Sequence, residues 1–404
     1  MAELLIRALS TDAALLRRIF GFDGPRRAAA VPSRIVVDAH TPNSAPGIGD
    51  TARRAGVPFL IDPQTYFLQD FQHPGDKWAN LPFGDPKIWT PADALSPARQ
   101  QDLIRESVNH QIANGATSII PPYVHLENAT GGWIEVQASL WRGTRRYLDD
   151  HRVTLPVTAV FAPGWRLLHP VQGPKVLGAA FAALEALRPT EVAVAASKVA
   201  AGVKPEDRLM DLVLMIERLS SRYPVIAWQQ GLLGEACIAA GAAGYETGIG
   251  WREKCDLRVE MTRHREAPTD GGFGRRPVFV PALGRSIPAK TLTALRSHRA
   301  LWSQVACADP QCCPPAGTAM LGDARAHAIV SRAKAAHELA AMPRAVWRWN
   351  RLAEHSDKAK ELADKINSVG ETSADMARID TSAVTAIQAV AHQRRQDRRS
   401  RKVA

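Results

Sequence analysis

The sequence predicts a single α/β domain of the (β/α)8 TIM-barrel class with a C-terminal helical extension. Three observations predict it. Eight short apolar runs ended by turn residues recur between residues 33 and 288, stretches of helical periodicity lie between them, and no G-x-G-x-x-G follows the first run, as an open dinucleotide-binding sheet would require. The runs AVFA and VAVAA are continuously apolar, which suits a parallel sheet buried on both faces rather than an antiparallel one with a wet face.

The strand-like runs, in order, are Ser33–His40, Pro58–Thr65, Ala116–Leu126, Pro156–Pro163, Glu191–Val199, Pro224–Gln230, Gly244–Gly250 and Pro277–Ile287. Helical periodicity marks Pro97–Asn114, Trp133–Asp150, Pro174–Leu187, Arg208–Arg222 and Glu235–Ala242. Ahead of them MAELLIRALSTDAALLRRIF reads as an amphipathic helix, because Glu3, Asp12 and its interspersed arginines do not suit a signal peptide. After residue 288 the pattern becomes wholly helical, over Ala289–Ala306, Ala319–Ala341, Arg344–Asn367 and Thr381–Gln393. The predicted organisation is therefore a helical segment at 1–32, the barrel at 33–288, a helical and zinc-binding extension at 289–368, and a helix with a basic tail at 369–404. Two long loops, Gln69–Leu95 and Arg252–Arg276, follow strands and should lie on the catalytic face.

No run approaches the ~20 apolar residues of a membrane span, so a soluble, cytoplasmic protein without membrane contact is expected. The five cysteines, three of them within 307–313, do not suit a secreted disulfide framework. Fifty-one Lys and Arg against forty Asp and Glu give a net charge of +11, which favours a polyanionic partner such as nucleic acid. Part of that excess is the tail Arg394, Arg395, Arg398, Arg399, Arg401 and Lys402, for which a solubilising role is the plainer reading.

In a barrel the residues that finish the strands converge on one mouth. Here they are Asp38 and His40, Asp62 and Gln64, Tyr123, His125 and Glu127, Lys198, Gln229 and Gln230, Glu246 and Arg252, and Arg285. Asp38, Asp62 and Glu246 are placed to act as nucleophile or general base, or else to form structural ion pairs. His125 is a proton carrier or a hydrogen-bonded structural residue. Lys198 suits a Schiff base less well than an ion pair. Gly248, Gly250 and Gly284, with Arg285, suit phosphate binding through backbone N–H groups, or simply relieve strain in tight turns.

Cys307, Cys312 and Cys313, followed by His327 and His337 on a helix-forming stretch, have the chemistry of a structural zinc site, with metal-free buried thiols as the alternative. The segment Cys307-Ala308-Asp309-Pro310-Gln311-Cys312, with His337 after 24 intervening residues, resembles the tRNA-guanine transglycosylase superfamily, whose barrel is followed by a C-x-C-x2-C cluster and a later histidine. The resemblance implies structural zinc on Cys307, Cys312 and His337, with Asp309 or Cys313 completing the tetrahedron. Gly231-Leu232-Leu233-Gly234-Glu235 is similar to the G-G-L-A-V-G-E segment whose backbone holds the purine in that family. Glu246, in Gly244-Tyr245-Glu246-Thr247, stands in place of the family's nucleophilic aspartate, and Met261-Thr262-Arg263 in place of its P-T-R segment. The second family aspartate, in S-G-G-F-Q, has no clear counterpart, although Asp62-Pro63-Gln64 occupies an early strand end.

The resemblance implies that a carboxylate attacks the anomeric carbon of a nucleotide, displaces its base and accepts a replacement. Gln229, Gln230 and the main chain near Gly231 would then bind the base edge, Tyr66 or Tyr123 would stack on it, and Arg252, Arg275, Arg276 and the tail would hold phosphates. Two other readings stay open: a barrel enzyme for a small anionic metabolite, using Gly248, Gly284 and Arg285 for phosphate and Asp62, His125 and Lys198 for acid–base work, and a non-catalytic nucleic-acid-binding barrel. Assembly as a homodimer is open as well.

Overall fold

A computed structural model describes residues 2–23, 31–70, 76–263, 276–310, 312–313, 319–371 and 376–403, with side chains of the last helix described as far as Gln396. Eight parallel strands, β1 (Glu3–Ala8), β2 (Arg34–Asp38), β3 (Phe59–Asp62), β4 (His125–Leu126), β5 (Thr158–Pro163), β6 (Glu191–Val194), β7 (Val225–Ala227) and β8 (Gly244–Gly248), form one sheet. Its order is β3-β2-β1-β8-β7-β6-β5-β4, with β1 pairing in parallel with both β2 and β8. The seam between the outer strands is spanned where Thr117 N–H donates to Phe59 O at 2.8 Å and Phe59 N–H donates to Thr117 Oγ1 at 2.9 Å. The chain is a (β/α)8 barrel with C-terminal helices.

The strand count was right and the set was shifted by one. Glu3–Ala8, read as the start of an amphipathic helix, is the first barrel strand: Leu4, Leu5, Ile6 and Ala8 are all buried, as a central parallel strand demands. The helix begins only at Ala13–Ile19. Pro277–Ile287, read as the eighth strand, is instead an antiparallel hairpin of β9 (Val278–Val280) and β10 (Arg285–Ile287) outside the barrel sheet. The chain reverses at Pro281–Gly284, where Gly284 has φ +63°, a conformation open to glycine without strain. β4 is only two residues long because Pro121 and Pro122 upstream lack the N–H a ladder needs; Ile119 keeps one bridge to Val157.

The intervening helices form where the periodicity placed them, at Pro97–Ala113, Trp133–Asp150, Gly178–Leu187, Pro205–Ser220 and Gly234–Ala240. Pro97 and Pro205 start two of them with φ preset for the first turn, and Glu206 and Asp207 complement the second one's N-terminus. In the Gln69–Leu95 loop Trp78, Phe83 and Trp89 are buried: Trp78 packs edge-on to Phe67 and Phe83 and donates from Nε1 to Pro63 O.

The extension is helical, with Ala289–Ala294, Arg299–Val305, Ala324–Ala340, Ala345–Gly370 and Ser382–Val403 as its main elements. Arg332, 2% exposed, fastens it to the barrel by donating to Gly231 O at 2.7 Å and to Glu253 Oε1 at 2.6 Å. No described helix is long and apolar enough to cross a membrane.

Candidate functional site

The sheet alternation turns Arg7 of β1 into the barrel, where it is the hub of the mouth. Its Nη1 donates to Asp38 Oδ1 at 2.7 Å, its Nη2 to Asp62 Oδ2 at 2.8 Å, and its Nε to Glu246 Oε1 at 2.8 Å; Nη2 also lies 3.5 Å from Glu246 Oε2. The three expected carboxylates, two ending β2 and β3 and the third in the middle of β8, therefore meet on one buried guanidinium that lies in a segment expected to be helical. A single arginine inside an otherwise apolar run, ELLIRA, was the available signal, since an isolated buried charge is rare unless paired.

Each carboxylate has further partners. Asp62 Oδ1 accepts from Tyr123 OH at 2.9 Å and from Gln64 N–H at 3.0 Å. Glu246 Oε2 accepts from Gln229 N–H at 2.8 Å, and Asp38 Oδ2 from Arg252 Nη1 at 2.6 Å. Burial alone would raise Asp38, but Arg252 and Arg7 outweigh it and hold its carboxyl well below the usual range. Burial dominates at Glu246, so its pKa is raised despite Arg7, and the nearby Asp62 charge adds to the rise. Asp38 is thus committed to ion pairing, whereas Asp62 and Glu246 are two differently held carboxyls sharing one guanidinium nitrogen. Paired carboxyls in unlike environments are the arrangement used for acid–base and nucleophilic work at a glycosidic centre.

Backbone strain concentrates here too. Gln64, Lys198, Gln229 and Arg252, which follow β3, β6, β7 and β8, have φ of 50°, 62°, 55° and 56°. Non-glycine residues held at positive φ store energy that the surrounding structure must over-determine, and they gather at functional sites. Gln229 is fully buried and, among the described residues, neither its Oε1 nor its Nε2 has a hydrogen-bond partner. Gln230, by contrast, spends its amide on Ala196 O at 2.7 Å. Gly231 has no room for a side chain, since a Cβ would lie 2.1 Å from Thr247 Oγ1.

Above Arg7 opens a cleft of 1190 Å³ whose wall carries Arg252, Lys254, Arg263, Arg276 and Arg325, with Glu253, Asp256 and Glu260 as its acids. Gly248 and Gly250 also line it. His40 lies on its edge; burial lowers its pKa, and its Nδ1 is buried without a partner among the described residues. Glu260, absent from the sequence inventory, accepts from Tyr66 OH at 2.8 Å.

Several expected site residues stand elsewhere. Tyr66 and Tyr123 are fully buried and bound to Glu260 and Asp62, so neither offers a face for stacking. His125 is outside the Arg7 cluster: its Nδ1 meets Ala162 O at 3.1 Å and its Nε2 meets Glu127 Oε2 at 3.3 Å, and this bond draws the Glu127 carboxyl down to about 2. Gly284 and Arg285 lie on the β9–β10 hairpin against the C-terminal helices, beside Leu352 and His355, because the hairpin left the barrel; they are not at the mouth. Arg275 lies outside the described residues, as do the tail side chains from residue 397 onward.

A second constellation forms beyond the barrel. Cys307, Cys312, Cys313 and His327 are all buried, with their ligand atoms within 4.8 Å of one another. Cys312 and Cys313 Sγ are 3.8 Å apart and lie 3.2 and 3.3 Å from His327 Nδ1. Three thiols and an imidazole at such separations fit a tetrahedral ion with Zn–S near ~2.3 Å. His327 Nε2 meets Phe279 O at 2.8 Å, which fixes the tautomer and leaves Nδ1 free to ligate. The imidazole that joins the three thiols is thus His327 rather than His337, which is exposed on the same helix, Ala324–Ala340. Ten residues along a helix correspond to nearly three turns, so the two imidazoles cannot reach one point. Asp309 is not in the cluster, since its carboxylate pairs with Lys334 at 2.6 Å; Cys313 completes the set.

No protein-family model and no curated protein matches this sequence. Among solved structures, the chain is similar to an AP endonuclease, family 2, from Brucella melitensis, at 14% identity over 64% of this chain and 96% of that one, with a TM-score of 0.36. It is similar at 12% identity to the PgaB (BpsB) glycoside hydrolase domain from Bordetella bronchiseptica, over 66% of this chain and 98% of that one, with a TM-score of 0.33. It is also similar at 10% identity to the carboxyl transferase domain of Rhizobium etli pyruvate carboxylase, over 98% of this chain and 77% of that one, with a TM-score of 0.35. Similarity this low assigns no activity.

Proposed function

We propose that the protein is a transglycosylase-like enzyme that displaces a nucleobase from nucleic acid through a carboxylate nucleophile. The observation that carries the reading is the pairing of Asp62 and Glu246 on Nη2 of Arg7, which itself lines a cleft walled by five further cations, with the two carboxyls buried directly behind it. A cleft of this size exceeds the usual ~300–1,000 Å³ of small-molecule pockets, and its cations suit a phosphate backbone better than one small anion.

In this reading Asp62 attacks the anomeric carbon as the C–N bond to the base breaks. The departing base takes a proton from Glu246, whose burial favours the protonated form, and an incoming base returns that proton to Glu246 as it displaces Asp62. Arg7 and the Gln229 N–H hold the Glu246 carboxyl in place, and the Tyr123 hydroxyl orients Asp62. The unpaired amide of Gln229 supports recognition of a base edge, because a buried donor and acceptor left unmatched are costly until a ligand meets them. Zinc, when bound by Cys307, Cys312, Cys313 and His327, supplies a structural crosslink and takes no part in these steps.

The test is release or exchange of labelled base from single- and double-stranded DNA and RNA by the purified full chain. Glu246→Gln and Asp62→Asn should each cut the rate by about a thousandfold, while affinity for the polynucleotide, which falls steeply with salt, is retained. Salt-independent or absent polynucleotide binding, together with no base release from any of the four substrates, overturns the proposal.

A further inference from the structure

The mouth carries a second polar station, on the side opposite β1 and β2, that neither the carboxylate cluster nor the cleft includes. It is built from the loops that leave β5 and β6. Trp165, half-buried, follows β5, and its backbone N–H donates to Ser197 O at 3.1 Å, which fixes it beside the β6 loop. Arg208 lies over the indole at 3.9 Å from the ring centroid, and Arg166 at 4.9 Å. Arg208 is held there by donation to Lys198 O at 3.0 Å and to Ala201 O. Lys198 and Lys204, in the same loop, both have positive φ.

Two features make this more than a packed tryptophan. Among the described residues no carboxylate pairs with Arg166 or Arg208, and burial together with the charge of Arg166 lowers the Arg208 pKa, so two guanidiniums crowd one ring with nothing to neutralise them. The station is also continuous with the cleft. Lys198 N–H donates to Cys255 O at 2.9 Å, and Cys255 lies between Lys254 and Asp256 of the cleft wall.

We infer that Trp165, Arg166, Arg208 and Lys198 bind the nucleic-acid strand flanking the target nucleotide, with a base stacked on the indole–guanidinium platform and its phosphate on the paired cations. This rests on the function proposed above. An aromatic ring beside arginine accepts any base by stacking and cation–π attraction, and guanidiniums without a carboxylate partner accept phosphate. The chemistry is that of a single strand, whose bases are free to turn outward onto a protein ring. An acidic peptide would engage the cations but leave the indole unused.

The experiment compares the full chain with Trp165→Ala, and separately with Arg166→Gln, whose exposed side chain is the least able to disturb folding. Binding is measured by fluorescence anisotropy, across a salt series, with an oligonucleotide long enough to cover both stations and with a trinucleotide that fills only the cleft. Trp165→Ala should weaken the long strand about tenfold or more and leave the trinucleotide unchanged. Arg166→Gln should lower the salt slope for the long strand by about one. Unchanged affinity and slope for the long strand in both variants overturns the inference while leaving the proposed function standing. Equal weakening of both ligands also overturns it, because the effect would then come from the barrel as a whole. If wild-type protein binds neither ligand, the proposed function fails and this inference with it.

Discussion

Replacing Arg7 by methionine removes the one cation shared by Asp38, Asp62 and Glu246 while keeping most of the side-chain volume. Arg7 contacts the three carboxylates at 2.7, 2.8 and 2.8 Å, and its side chain and those of Asp62 and Glu246 are fully buried. Breaking one buried ion pair by removing a partner costs about 3–5 kcal/mol. Arg252 still neutralises Asp38, so the loss falls chiefly on Asp62 and Glu246. The expected destabilisation near neutral pH is at least ~3–5 kcal/mol, a large share of the ~5–15 kcal/mol that holds a typical domain folded.

The pH dependence gives the sharper reading. In the wild type, Asp38 has a folded pKa below its unfolded one, so its stabilisation is present above the unfolded value and is lost only as pH falls through the depressed folded value. In Arg7→Met the buried Glu246, already raised in the wild type, loses the Arg7 charge that opposes the rise and holds its proton to still higher pH. Stability contributed that way is present at low pH and is lost as pH rises through the raised folded value. Urea unfolding at about pH 5.5 and about pH 8 should therefore show the variant more stable at the lower pH, with its largest deficit against wild type at the higher. A variant within about 1 kcal/mol of wild type at the higher pH, or with no gain on acidification, would refute the placement of Arg7 as the hub.

Three further outcomes are expected. Metal analysis should find one zinc per chain, lost in Cys312→Ser and in His327→Ala but kept in His337→Ala; retention in His327→Ala would return the ligand role to another histidine. Gly248→Ala should destabilise by about 1–3 kcal/mol or more in thermal unfolding, because the new Cβ would lie 1.9 Å from Trp251 O, a backbone atom that no rotamer change can move. The Glu246 carboxyl, followed by isotope-edited infrared spectroscopy, should hold its proton to higher pH than a free glutamate, and Asp62→Asn should bring it down by removing one source of the rise; an upward move in that variant would contradict the geometry.

Much of the barrel was legible because its signals are local. Apolar runs such as VAVAA and the helical periods between them report burial within a few residues, and seven of the eight barrel strands lie where those runs are. The two errors of strand assignment arose where local pattern is ambiguous. ELLIRALSTDAALLRRIF supports helical spacing throughout, and only pairing with β2 and β8 makes its first six residues a strand. PVFVPALGRSI contains its own reversal at Pro281–Gly284, a turn signal outweighed by the apolar run around it.

The candidate site divides in the same way. Asp38, Asp62 and Glu246 could be named in advance because a parallel barrel sends its strand ends to one mouth. Their roles could not, because the separation that matters is spatial: Arg7 and Glu246 are 239 positions apart in the chain. The choice of His327 over His337 depended on which face of one helix meets Phe279 and the cysteine loop, and spacing along the chain does not contain that. The sequence by itself determined the barrel class, the titratable groups at its mouth and the thiol-rich extension, since composition and periodicity are properties of neighbours. Only the tertiary structure decided which carboxylates share a cation, which amide is left unpaired and which imidazole joins the thiols, since each depends on distances that closure of the barrel alone creates.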